Sequence, residues 1–461
     1  MRPRSVLLAA GACLATVTLT MGSAAADPLT PSPSPSFGHP PCTATSSPSS
    51  GPVRSVPTPQ PLHPVASTAP TTPAMSTPTP TSSSPSLTTT ANCVTLFSTP
   101  AGNSTPYLHV GPDGNLWFAD GTNIVRMLPH APYTQTDFPI PGGGPFQITT
   151  GPDGNIWFAE EGQQFCDPNG KPGQVGRILT HAPYTVTEFP LPGAVAKVYG
   201  IATGGDGNIW ITRVGTGGCG PTGTPEIDRI SPHAPYTVTQ FPLPAATPPL
   251  PATAGPAHLL ADPQGNLWFN FLSAPGLGEI SAFGSHQITL YSTGAGPADI
   301  SSGPRQDPNS VWFIANATAP TYLIGRIDTL THAVTTYPVT MTGGPNAIGA
   351  GPDGTMWITE ARTGYAIGRF QTHAPFTFSE IPLPDDTYAR APTCGPDGNE
   401  WFTSVRFSQP DNPQGNPAII GRVTLTTHGQ HGDGPGDDTT ALLAAGDRCP
   451  APTPESLPDG Q

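Results

Sequence analysis

Between residues 93 and 427 the chain runs in short stretches of alternating or wholly apolar residues, each closed by Gly, Pro, Asp or Asn, and none carries a helical period over about 11 residues. The stretches recur in a fixed order. A strand ending at a Pro-Asp-Gly turn (strand a) is followed by an aromatic strand centred on a tryptophan (b). An Ile-Gly-Arg-Ile-like strand (c) and a Tyr-Thr-Val-Thr-Glu-Phe-Pro-Leu-Pro-like strand (d) complete the unit, the last best seen over 184–192 and 236–244. All seven tryptophans, Trp117, Trp157, Trp210, Trp268, Trp312, Trp357 and Trp401, occupy the b slot, at intervals of about 40 to 58 residues. Four-stranded antiparallel units repeated radially make a propeller. The expected fold is therefore all-β: a seven-bladed β-propeller.

The seventh unit lacks strand d, because after Thr426 the chain turns into His, Gly and Asp. The missing strand lies at the other end: residues 94–100 align with 186–192 position for position. The N-terminal strand is expected to complete the last blade, so that no sheet is left short of an edge partner.

Composition divides the rest of the chain. Residues 1–26 carry Arg2 and Arg4, an apolar run from Val6 to Leu19 and Ala24-Ala25-Ala26, the layout of a secretory signal peptide. Residues 27–92 are rich in Pro, Ser and Thr and are expected to be a disordered linker, with 428–461 a disordered tail. No apolar run is long enough to span a bilayer. The protein is accordingly expected to be secreted, with the Pro/Ser/Thr stretch suiting a spacer through a cell envelope. A net charge of −14 with only Lys171 and Lys197 as lysines argues against nucleic acid. Of the arginines, Arg126, Arg177, Arg229, Arg326, Arg369 and Arg422 share the third position of strand c, a regularity that suits a blade-to-blade hydrogen-bond donor better than a ligand reader. After signal removal six cysteines remain. Cys166 and Cys219 each lie nine residues beyond the tryptophan of adjacent units, an offset that suggests a disulfide across neighbouring loops.

The combination of GPDG-x-[LI]-WF-x-[ED], I-G-R-I and E-F-P-L-P resembles the streptogramin B (virginiamycin B) lyase family, over essentially the whole repeat region. The resemblance implies a seven-bladed propeller closed by an N-terminal strand. It also implies an activity that linearises a cyclic depsipeptide by eliminating its ester bond, with magnesium near the site. Such chemistry needs a positioned base, and a divalent cation to steady the developing enolate. The family's histidines belong to a P-H-[GA]-I phrase opening strand a of the last two blades. Here Asn346 and Arg390 stand in those places, and Ser404 and Val405 where the family's catalytic Glu follows strand b. An amide is no general base, and an arginine is always protonated. No catalytic residue is therefore assigned, and no metal ligand; magnesium rests on the resemblance alone.

The face that would hold a site collects Tyr107, Phe146, Tyr199, Asn346 and Arg390 from the starts of strand a, and Asp120, Glu160, Arg213 and Glu360 just after strand b. Of these, Tyr107, Phe146, Tyr199, Asn346, Arg390, Glu160 and Glu360 are the candidate binding residues, although interblade hydrogen bonding is the simpler role for the two glutamates. His258 and Asp299 sit one residue off the family's slot, so strand alternation is expected to turn them away, and His109 is expected to be packed or solvated. The His-Ala-Pro phrases at His130, His181, His233 and His373 read as c–d turns with a tyrosine or phenylalanine covering the blade edge. The reading that fits best is a ligand-binding module for a small organic, peptide or glycan ligand. The alternatives are a metal-assisted C–O lyase with rearranged residues and a structural protein displayed on the cell envelope.

Overall fold

The structure is a computed structural model. It describes residues 73–425 apart from 90–92, 100–106, 163–171, 193–196, 215–224, 245–254, 272–273, 295, 316–320, 362–364, 385–386 and 407–417. The assignments of residues 1–26, 428–461 and the Cys166–Cys219 pair fall outside these residues. Every described element is a β-strand, and the strands form seven antiparallel sheets in a ring. Blade 2 shows the plan: Pro145–Thr150, Ile156–Glu160, Gln174–Ile178 and Val186–Pro190, from the axis outward. The other a strands are Leu108–Val110, Lys197–Thr203, Pro256–Ala261, Pro297–Ser302, Gly344–Ala350 and Thr387–Cys394. Each a strand neighbours the next around the ring, so these seven line its axis.

The N-terminal strand closes the ring as the repeat alignment requires. Val94–Ser98 pairs antiparallel with Ala418–Val423 in blade 7, from Val94↔Val423 to Ser98↔Ile419. Its Phe97 stacks on Trp401, with centroids 5.3 Å apart.

The recurring residues form one interlock. In every blade the indole N–H donates to the turn aspartate, from Trp117 to Asp113 at 2.9 Å round to Trp401 to Asp397 at 2.8 Å. The strand-c arginine then ties that unit to its neighbour. Arg126 donates to the Tyr184 hydroxyl of blade 2 at 3.0 Å, and Arg422 to Tyr133 of blade 1 at 2.9 Å. These tyrosines come from the c–d turns and lie against strand d of the preceding blade, Tyr184 on Phe138 and Tyr236 on Phe189, each at 4.9 Å. The arginine slot is structural. The glycine before it has an equally local cause: a Cβ on Gly176 would lie 2.1 Å from the ring of Phe158, its cross-strand partner. The apolar core is divided among interblade layers, such as Trp117, Ile124 and Phe138 of blade 1 against Ile148, Ile156 and Phe158 of blade 2.

One stretch differs from the composition-based expectation. Within the Pro/Ser/Thr-rich region, Ala74–Ser76, Thr81–Ser83 and Leu87–Thr89 are strands, added as fifth strands to the outer edges of blades 2, 1 and 7. An exposed edge offers unmet backbone N–H and C=O groups, and a Ser/Thr segment can answer them without apolar side chains of its own. The composition measures core-forming capacity and misses this borrowed order. The d strands so covered are buried over four of five residues, whereas Phe378–Pro382 of blade 6, with no fifth strand among the described residues, has no buried residue.

Candidate functional site

The start of strand a is irregular in most blades, and this irregularity builds the site. The a–b pairing shifts register between Val198 and Ile201, between Pro256 and Leu259, between Pro297 and Asp299, and between Pro345 and Ala347. Such a bulge lifts a backbone N–H out of the ladder and re-aims the side chains around it. Strand b supplies the replacement acceptors. Thr212 Oγ1 accepts from Gly200 N–H at 2.6 Å, Asn270 Oδ1 from His258 N–H at 2.9 Å, and Thr359 Oγ1 from Ala347 N–H at 3.1 Å.

The bulges overturn the expectation for two residues. His258 and Asp299 are not turned away: His258 Nε2 hydrogen-bonds the Tyr107 hydroxyl, and its Nδ1 makes an ion-pair contact with Asp299 Oδ1. Simple alternation assumes an unbroken ladder, and both strands break theirs at this point. Tyr107 belongs to blade 1 and His258 to blade 4, so the two meet across the axis of the ring. Asp299 is fixed in turn by Ile348 N–H, which donates to its Oδ2 at 3.0 Å. Burial holds the Tyr107 phenol well above its ordinary value; the Asp299 carboxylate adds to the rise and the charge of Arg390 opposes it.

Around this contact lie the aromatic candidates. Tyr107 and Phe146 meet edge to face at 5.2 Å, and Phe146 and Tyr199 at 5.0 Å, forming an arc over blades 1 to 3. Lys197, paired with Glu161, ends the arc 5.4 Å from the Tyr199 ring. Beyond the Tyr107 end of the arc, in the adjoining blade 7, Arg390 lies over the Tyr388 ring at 5.2 Å, and its Nε is buried with no hydrogen-bond partner among the described residues. Asn346 is committed to its neighbour, donating from Nδ2 to Ala389 O at 3.1 Å. Tyr107, Phe146, Tyr199, Asn346 and Arg390 are all partly exposed. Ser404 is buried.

Glu160 and Glu360 do not join them. Both are buried, at 1% and 0% exposure. Glu360 accepts Gly343 N–H at 2.7 Å and faces Glu380 of its own blade. Glu160 accepts from Gln174 Nε2 at 3.0 Å, beside Glu188, which holds Gly142 N–H. They anchor the d–a connections, the simpler of the two roles open to them. Arg213 plays the same part in blade 3, ion-paired with Asp228 at 2.9 Å. His109 is packed against Thr150 of blade 2 at 2.8 Å, and the four c–d turn histidines are exposed at the rim.

These buried carboxyls set a pH dependence. Burial pushes Glu360 from 4.5 up to about 8, with Glu380 adding to the rise. It also raises Asp228 from 3.8 to about 7 against the pull of Arg213, and Asp137 from 3.8 to about 6 with help from Asp120. Glu400 is likewise raised by burial. A carboxyl raised on folding stabilises the fold below its unfolded value, and that contribution is lost as pH climbs towards the folded value. Each tenfold gain in proton affinity on folding is worth about 1.4 kcal/mol. The melting temperature should therefore be higher at pH 5 than at pH 8, and Glu360→Gln should reduce the difference. Calorimetry showing stability flat or rising over this interval would contradict the assignment.

The donor set suits a divalent cation poorly. Among the described residues no three His, Cys, Asp or Glu side chains gather as metal ligands. Of the acids near the axis, Asp299 is engaged by His258 and Ile348 N–H, and Arg390 places a fixed cation beside them. The residues at the axis do not fit magnesium.

The virginiamycin B lyase family matches residues 81–248 and 184–409 of the chain. A streptogramin B lyase structure is similar at 23% identity and TM-score 0.55, covering 71% of this chain and 97% of that one. A catalytically inactive histidine-to-alanine variant of virginiamycin B lyase from Staphylococcus aureus, crystallised with quinupristin, is similar at 22% identity and TM-score 0.55, covering 72% and 99%. A chain of the mitotic checkpoint complex, at 11% identity and TM-score 0.52, shares the fold over 81% of this chain and 98% of that one. None of the curated proteins matches the sequence.

Proposed function

The chain belongs to the virginiamycin B lyase family, and from that premise we propose that it is an exported propeller that binds an organic ligand at the axis and lacks the family's eliminating machinery. One observation carries the reading. The half-buried aromatic arc of Tyr107, Phe146 and Tyr199 has Arg390 of the adjoining blade beside its Tyr107 end, while the positions where the resemblance puts the family's histidines hold a committed amide and a permanent cation. Aromatic walls supply area and a fixed positive charge orients an acidic or carbonyl-bearing group, so the site suits an uncharged or acidic ligand with planar surfaces. The signal-like residues 1–26 support export, and the Pro/Ser/Thr-rich segment after them suits cell-envelope association.

Calorimetric titration with quinupristin, the compound held by the Staphylococcus aureus neighbour, tests the location. Arg390→Ala and Tyr199→Ala should each weaken binding by about tenfold, the ~1–2 kcal/mol of one well-placed contact, and His181→Ala at the rim should leave it unchanged. Equal losses at the axis and the rim would remove the proposed site.

A further inference from the structure

The Tyr107–His258–Asp299 arrangement has the parts of a hydroxyl nucleophile, a base and a group that orients the base. His258 Nδ1 faces the Asp299 carboxylate and Nε2 faces the Tyr107 hydroxyl. The Asp299 contact is a charge-pair approach without hydrogen-bond alignment, and the carboxylate's charge favours the proton on Nδ1, leaving Nε2 as the acceptor for the tyrosine proton. Each member is held independently: His258 through its backbone N–H by Asn270, Asp299 by Ile348 N–H, and Tyr107 edge to face against Phe146. The side chains of His258 and Asp299 are 15% and 7% exposed, so the relay is shielded yet borders the axis. Interblade packing alone does not account for it, because Tyr107 and His258 come from blades that are not neighbours.

We propose that this triad is an acyl-transfer site that hydrolyses a carboxylic ester or lactone through a tyrosyl ester at Tyr107. The proposal rests on the axial site described above and adds a reaction to it. The Tyr107 oxygen adds to the ester carbonyl carbon while its proton passes to His258 Nε2. The bond from that carbon to the alcohol oxygen then breaks, and His258 returns the proton to the departing alcohol. Water repeats the sequence on the tyrosyl ester: its oxygen adds to the carbonyl, His258 takes and returns its proton, and the carboxylic acid leaves with the Tyr107 phenol restored. Asp299 steadies the imidazolium formed in each half, and the guanidinium of Arg390 is close enough to Tyr107 to act on its charge and serves the oxyanion. The residues are not those of the family's histidine and glutamate positions, and the reaction consumes water where the family's elimination does not.

The test uses the full chain with p-nitrophenyl acetate. Acid quenching followed by peptide mass mapping should find an acetyl group on Tyr107. Steady-state release of p-nitrophenol should fall about a hundredfold in Tyr107→Phe and in His258→Ala, the scale of a lost nucleophile or general base. Asp299→Asn, a positioning change, should lower turnover and alter its pH profile, while His181→Ala should leave turnover unchanged. Tyr107→Phe keeps the aromatic ring, so the variant should retain its melting temperature, which separates a lost nucleophile from a lost fold. Turnover in Tyr107→Phe equal to that of the natural sequence, or acetylation confined to other residues, would overturn the proposal. Quinupristin binding without any Tyr107 adduct would end the hydrolase reading and leave the binding reading standing; an adduct without quinupristin binding would do the reverse.

Discussion

Removing residues 93–100 should abolish folding of the propeller. Val94, Leu96 and Phe97 are 0%, 2% and 0% exposed, packed into the layers that join blade 7 to blades 6 and 1. Full burial of such side chains is worth about 1.5–3 kcal/mol each, so three together approach the roughly 5–15 kcal/mol by which a domain is stable. The deletion also strips five residue pairings from Ala418–Val423 and opens an edge on the sheet where the N-terminal strand of the propeller meets its last strand. Circular dichroism and thermal melts should show no cooperative transition. Removing 73–90 instead takes away three short strands whose larger side chains are exposed, Met75 at 71% and Leu87 at 50%. That loss should lower the melting temperature by only a few degrees, of the order expected for about 1 kcal/mol. A silent deletion of 93–100 would mean that the ring closes in another way.

The contrast between these deletions shows where the sequence is legible. Blade count, strand order and closure follow from side-chain repetition, because Trp157, Asp153, Arg177 and Tyr236 need one another wherever the unit recurs. The strap over residues 74–89 has no such signature. Its pairing is by backbone to an edge belonging to another part of the chain, which composition does not record.

The site is legible only in part, for a related reason. The aromatic arc and Arg390 are visible because they open strand a at matching points of the repeat. His258 and Asp299 are hidden by bulges, which interrupt the two-residue period from which facing is read. A signal exists for some of these bulges. Thr212, Asn270 and Thr359 stand two residues after the tryptophan, and each accepts a displaced N–H. The bulge beside His258 is marked in this way by Asn270, but the one at Asp299 is not, because Ile314 holds that position, and blade 2 is irregular with Ala159 there. The glutamates mislead in the opposite direction: Glu160 and Glu360 end strand b facing the site in register but are drawn into the d–a connections, Glu160 by the Gln174 amide and Glu360 by a backbone N–H.

The largest functional effect expected is the loss of the family's reaction. Elimination needs a base beside the ester, worth about 10²–10⁴ in rate, and a cation to steady the enolate. Where the resemblance places the family's histidines, Asn346 spends its amide on Ala389 O and Arg390 carries a guanidinium, and Ser404 is buried where it places the carboxylate. The decisive measurement incubates the purified protein with quinupristin and magnesium and follows the products by mass. Elimination opens the ring to an isomer of unchanged mass, whereas hydrolysis at Tyr107 adds one water. The isomer should accumulate no faster than in buffer with magnesium alone. Its magnesium-dependent accumulation well above that control would show that the eliminating machinery persists in this chain and would contradict the account.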